Sequence, residues 1–433
     1  MMKYLFTATV LLLFVFGGAS CRGAQADELL EKGIPIEGVK DLDRLIEHIG
    51  DSRMVMLGEA SHGTLEFYTF RKEITKKLIA NRGFDFVAVE GDWPAFSRVN
   101  RYVKGVDTVD LYELFSVFTR WPPWMWKNEP AARLAEWLRN HNSETDEKTG
   151  FYGMDMYAVE MAYLDAVEVL RGSAPDAPAR EVIELLGELG RYSGNMHGYA
   201  RAYAHRGVNL EDRVLRAREI VESKILGELD PREALDLERN MAVLTYAERH
   251  FRAMADPGID SWNVRAGFMD ETLTRLLEYY GEDSRGIVWA HNTHIGDARA
   301  TTMAERGNVN IGQLKRESLG EEQVSLVGFG TATGTVRAGR EWGSPGEVME
   351  IPNPVSGSLE HTLSKAEHNK LLFLFDETSR AGELMEPVGH RAMGVVYNPE
   401  TEHLGNFVPT VLPQRYDAFI FFQSTEAIDE WEK

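Results

Sequence analysis

Cysteine is almost absent. The 433 residues contain one, Cys21, so no disulfide can close within a single chain and stability must come from a packed core. Positive charge is scarce as well, with 47 Lys and Arg against 68 Asp and Glu and a formal charge of -21 at pH 7. Nucleic acids are bound by neutralising their phosphates, and no basic stripe runs through this chain, so no nucleic-acid partner is expected. Long-range attraction favours a neutral or cationic small molecule instead. After residue 20 no stretch approaches the roughly 20 apolar residues that a membrane-spanning helix needs. A Gly-x-Ser-x-Gly nucleophile elbow is also missing, and Ser61 lies in the unlike context Gly58-Glu59-Ala60-Ser61-His62-Gly63, which argues against a serine acyl-enzyme.

What is present begins with an export pattern. Residues 1–20 carry one charged side chain, Lys3, then an apolar run over 5–16 and a small-residue exit, which reads as a signal peptide. Cys21 directly follows Gly18-Ala19-Ser20, a context that resembles the lipobox of bacterial lipoproteins, where the thiol is acylated. The competing reading is ordinary cleavage after Ala26, since Ala24-Gln25-Ala26 also fits the small-x-small rule. Both place the protein in the cell envelope or beyond. The first ties it to a membrane through a lipid anchor only, and the second makes it periplasmic or secreted.

An apolar share of 43% fills a substantial core for one large domain or two ordinary ones. The spacing predicts a helix over 42–49, a strand over 53–57, a helix over 66–81 and a strand over 84–89, a parallel strand–helix–strand unit. A helix over 130–142 and a strand over 150–154 follow. Between 155 and 255 strand-like runs vanish and helical stripes take over, as expected of an inserted helical lobe. The α/β pattern then resumes with helices over 263–280 and 311–319 and strands over 286–290, 324–329, 371–375 and 418–422. The expected fold is α/β, a mixed, largely parallel sheet flanked by helices, with the core at 27–154 and 256–433 and the lobe at 155–255.

Chemistry in such folds gathers where strands end. Glu59 and His62 follow the first predicted strand, and a carboxylate three residues before an imidazole can orient it or shift its pKa. Glu90 ends the strand Val87-Ala88-Val89, and Asp155 ends another; a buried carboxylate is costly unless paired. Ile287-Val288-Trp289-Ala290 delivers His291 and His294 in one turn, with Asn292 between them, more than packing alone explains. The aromatic run Trp121-Pro122-Pro123-Trp124-Met125-Trp126, with Trp93 behind Glu90, is either packing under a lid or an apolar wall for a bulky substrate. Histidines plus carboxylates are also a normal ligand set for a divalent metal, so a metal-dependent hydrolase and a haem- or metal-binding envelope protein stand as alternatives.

Taken in order, Gly-Glu-Ala-Ser-His-Gly, the helix with Arg71, Val-Glu-Gly-Asp-Trp, Tyr-Gly-Met-Asp-Met-Tyr and Trp-Ala-His-Asn-Thr-His resemble the erythromycin esterase family over most of the chain. The resemblance implies hydrolysis of an ester or lactone, in the named members that of a macrolide, by water rather than through an acyl-enzyme. It implies no cofactor, with His62 as general base, Glu59 and Glu90 as acidic partners, His291 and His294 as the late histidine pair, and Arg71 as a cation able to polarise a carbonyl. Asp155 and the tryptophans fall to substrate binding. An export signal is out of keeping with an enzyme that meets its drug in the cytoplasm, so the resemblance speaks for the reaction more than for a macrolide substrate.

Overall fold

The computed structural model describes residues 19–172, 176–256, 258 and 260–431, without the side chains of residues 19–24 and 39. Residues 1–18 of the expected signal peptide lie outside the described residues, as does the Cys21 side chain, whose backbone falls in the first helix, Ala19–Lys32.

Strands in chain order are β1 (Ile34–Pro35), β2 (Met54–Leu57), β3 (Phe86–Asp92), β4 (Gly150–Asp155), β5 (Gly286–Trp289), β6 (Val324–Ala338), β7 (Glu347–Ile351), β8 (Lys370–Leu374), β9 (Val388–Arg391), β10 (Phe407–Thr410) and β11 (Ala418–Thr425). Nine of them form one sheet in the order β1-β8-β11-β6-β2-β5-β3-β4, with β7 on the far half of β6. From β11 to β4 the neighbours are parallel, and β8, β1 and β7 add antiparallel pairings. The mixed, largely parallel sheet expected from the sequence is therefore present. β2 and β3 are parallel as expected, but β5, some 200 residues later, is inserted between them.

Alternation along the strands separates two cores. Val55, Leu57, Val87, Val89, Ile287 and Trp289 point to one face, where the helices Leu65–Arg82, Trp93–Val103 and Glu129–Ser143 cover them. Met54, Met56, Phe86, Ala88, Val288 and Ala290 point to the other. Between β4 and β5 the described residues are helical, with Val159–Gly172, Asp176–Gly190, Met196–Arg206, Glu211–Lys224, Pro231–Ala253 and Ser261–Tyr280 as the main helices. Their buried apolar side chains join that second core, so these helices form a layer on the sheet. The long β6 and its partner β7 run past the sheet edge and, with Met393 and Tyr397, enclose a small third core. No strand is expected from the sequence at β1, β7, β9 or β10. Glu347-Val348-Met349-Glu350-Ile351 buries only two of its side chains, which leaves too weak an alternation to register.

Register decides what meets at the rim. Leu57 is level with Trp289, Trp289 with Val89, and Val89 with Gly153. Glu59, His291, Glu90 and Asp155, all at carboxyl ends of adjacent parallel strands, are thus brought to one edge.

Candidate active site

The turn after β2 is held by backbone contacts that leave no room for larger residues. The Gly63 carbonyl accepts from Arg337 N at 3.0 Å, and a Cβ on Gly63 would overlap the Arg337 carbonyl. In this turn His62 Nδ1 lies 2.9 Å from Glu59 Oε1. A carboxylate can only accept, so Nδ1 carries the proton and the Nε2 lone pair is left as the basic atom. The second Glu59 oxygen accepts from Arg71 Nη2 at 2.7 Å. Arg71 is fully enclosed, its guanidinium 4.3 Å from the Tyr68 ring and 4.9 Å from that of Trp289. It therefore orients Glu59 from behind, and its burial is at odds with the direct carbonyl contact that the resemblance suggested.

His291 caps the short turn after β5. Its Nδ1 accepts from Thr293 N at 3.2 Å, which puts the proton of the neutral ring on Nε2. The His62 and His291 rings are 4.9 Å apart between centroids. His294, one turn on, stacks flat on Trp262 at 4.6 Å, and its Nε2 lies 3.3 Å from Glu90 Oε1.

A second cation completes the cluster. Arg265, in the helix Ser261–Tyr280, donates from Nη2 to Glu90 Oε1 at 2.8 Å and to Asp155 Oδ2 at 2.6 Å, from Nε to Asp155 Oδ1 at 3.1 Å, and lies through Nη1 3.0 Å from His294 Nε2. The other Glu90 oxygen accepts from His291 N at 2.8 Å. Trp126 Nε1 donates to the Glu90 carbonyl at 3.1 Å, where the β3–β4 register slips between Val89 and Asp92. Glu59 is thus paired with Arg71 while Glu90 and Asp155 share Arg265, so no carboxylate of the cluster is buried without a cation, the condition for keeping such charges inside a protein.

These charges drive the histidines apart. Burial depresses the pKa of both, but the nearby Glu90 charge and the Glu59 hydrogen bond outweigh it at His62, whose pKa is raised above the ordinary histidine value. At His291 burial dominates and the adjacent His62 adds to it, so this pKa falls well below the ordinary value. Glu90, despite burial, is held well below the usual carboxylate range by His294, Arg265 and His62, and Asp155 is lowered by Arg265. Opposed shifts in adjacent titratable groups are the pattern of an acid–base site.

A family model described as erythromycin esterase matches residues 79–425. The chain belongs to the erythromycin esterase family. It is accordingly a hydrolase of the esterase type. The Glu59–His62 turn and Arg71 precede the matched span. A curated relative, erythromycin esterase type II of Escherichia coli, is 22% identical over 355 residues, 76% of this chain and 82% of that one. Three solved structures share the fold. A succinoglycan biosynthesis protein aligns with TM-score 0.78 at 18% identity, covering 96% of this chain and all of its own. A Bacillus cereus protein aligns with TM-score 0.77 at 18% identity, over 95% and 99%. The erythromycin esterase mutant EreC in its open conformation aligns with TM-score 0.66 at 17% identity, over 90% and 94%.

Within this esterase fold the three imidazoles are almost enclosed, with His62 8%, His291 4% and His294 3% exposed. Glu59, His62 and Glu90 also each offer an atom within 4.8 Å of the others, a spacing open to a metal ion, although both carboxylates already hold a guanidinium. The tryptophans divide. Trp93 is buried on the opposite face, stacked on Tyr152 at 5.4 Å, and Trp124 and Trp126 are buried as well. Trp121 is only partly buried and packs at 4.7 Å against Trp342, an exposed ring on the β6–β7 turn. Arg265, Trp262 and Trp342 are absent from the sequence reading. Buried Glu90 and Asp155 demand a cation, but helical spacing alone does not say which arginine of the helical layer comes back over the sheet.

Proposed function

We propose that this family member hydrolyses an ester or lactone with a water molecule deprotonated by His62. Glu59 fixes the His62 tautomer and, with Glu90, strengthens it as a base; Arg71 holds Glu59 in place. His291, neutral with its proton on Nε2, and Arg265 stabilise the negative charge that develops on the carbonyl oxygen. The observation that carries the reading is the Glu59–His62 pair set 4.9 Å, ring to ring, from a histidine of opposite pKa shift. No metal is assigned a role, because the two carboxylates that could hold one are neutralised by Arg71 and Arg265.

The near-enclosed imidazoles require the rim to open before a substrate enters. The open conformation named for EreC supports such a motion in this fold. Asp155 serves the site through Arg265, and Trp121 with Trp342 supplies an apolar wall for a bulky ester. The test is a hydrolysis screen of macrolides and simple lactones with wild type and His62→Ala, each with and without chelator. Wild-type turnover indifferent to chelator and a loss of about 100-fold or more in the variant are expected. Full activity in His62→Ala would sink the reading, and activity abolished by chelator and restored by one ion would replace it with a metal-dependent one. We further propose lipid anchoring at Cys21, so that Cys21→Ser moves the protein from the membrane fraction to the soluble one; an unchanged distribution counts against the anchor.

A further inference from the structure

A second His–Glu pair lies behind the reacting groups and has no part in the chemistry above. His390 Nδ1, on β9, is 2.7 Å from Glu360 Oε1, and both side chains are fully buried. The carboxylate accepts, so Nδ1 carries the proton and Nε2 is an acceptor, with Asn292 Nδ2 at 3.3 Å as its donor. Asn292 directly follows His291. Because β2 lies between β5 and β6, its side chain must cross the end of β2 to reach β6, where Nδ2 donates to the Phe329 carbonyl at 2.7 Å and Oδ1 accepts from Phe329 N at 3.2 Å. The crossing passes over Gly58, where any Cβ would overlap the Asn292 amide oxygen. Asn292 N donates to the Glu59 carbonyl at 2.8 Å. Through its backbone N–H and its side-chain amide, Asn292 therefore ties together the loops of Glu59 and His291 and the strand β6.

We propose that Glu360 and His390 are positioning residues for the hydrolysis, acting through Asn292 to hold Glu59 and His291 in register with His62. The proposal rests on the reading of His62 and His291 as the hydrolytic pair. A histidine suits the task because one rigid, fully buried ring presents a donor to Glu360 and an acceptor to Asn292. Glu360 is fixed in turn by Arg391 N, which donates to the same oxygen at 2.9 Å. Small displacements of aligned groups cost rate steeply, on the order of 100-fold for 1 Å.

The test compares His390→Gln, whose amide oxygen can replace the Nε2 acceptor, with His390→Asn, which can serve Glu360 but does not reach Asn292. Two measurements are made: kcat and KM on a lactone that the wild type hydrolyses, and hydrogen exchange over residues 58–63 and 289–296. The expected result is a fall of about tenfold in kcat for His390→Asn at unchanged KM, with faster exchange confined to those two segments, and near-wild-type values for His390→Gln. Asn292→Ala should lower kcat similarly, and the double variant with His390→Asn no further. Equal losses in the two His390 variants, or additive losses in the double variant, would overturn the proposal. If the wild type hydrolyses no lactone or ester, the hydrolytic reading fails by itself. The exchange comparison then decides whether the tie through Asn292 exists, and identical exchange in the two His390 variants overturns it.

Discussion

Glu59–His62 and Glu360–His390 are chemically the same device, an imidazole Nδ1 held by a glutamate oxygen at 2.9 and 2.7 Å, yet their surroundings give them opposite characters. Around His62 burial and the Arg265 charge lower the pKa, but the negative charge of Glu90 together with the Glu59 bond outweighs them and the pKa rises. Around His390 burial is complete and the additional charges, Arg415 and Arg391, are positive, so the Glu360 bond cannot stop the pKa from falling. One pair keeps a sliver of solvent access and a free Nε2; the other spends its Nε2 on Asn292. A His–Glu dyad is thus a base or a strut according to the sign of the next charge and the fate of the second ring nitrogen.

The sharpest way to break the comparison is to remove each imidazole. His62→Ala should lose about 100-fold or more in kcat while melting within a few degrees of wild type. His390→Ala, which strands a fully buried carboxylate, should instead cost about 3 kcal/mol of stability by denaturant unfolding. An unfolded His62→Ala beside an undiminished His390→Ala would reverse the assignment of base and strut. Next in size is the pH profile. A base must be unprotonated, and the raised His62 pKa puts the acid limb of kcat/KM above the ordinary value of about 6.5. Glu90→Gln removes the charge that raises it, so the limb should move to lower pH whatever happens to the maximum rate; a stationary limb would show that Glu90 does not set the basicity of His62. The smallest effect concerns the rim, where neither dyad reaches. Trp342→Ala should raise KM for a bulky ester about fivefold, worth roughly 1 kcal/mol of lost apolar contact, and leave a small ester unaffected. Equal effects on both would remove the Trp121–Trp342 pair from substrate binding.

Much of this was readable along the chain because it is local. Apolar runs at 84–89 and 286–290 specify strands, and the carboxyl-end rule alone places Glu59, Glu90, Asp155, His291 and His294 on one edge. The short spacing of Glu59 and His62 was enough to suggest a pair. What sequence could not supply was the insertion of β5 between β2 and β3, which makes neighbours of His62 and His291, more than 220 residues apart. Nor could it supply the choice of Arg265 as the cation for Glu90 and Asp155, the retreat of Arg71 behind Glu59, or the burial of three of four tryptophans in the core. Periodicity reports which face of an element is apolar and where it ends; which elements become neighbours, and hence which charges share a low-dielectric space, is settled only by the packing of the whole sheet.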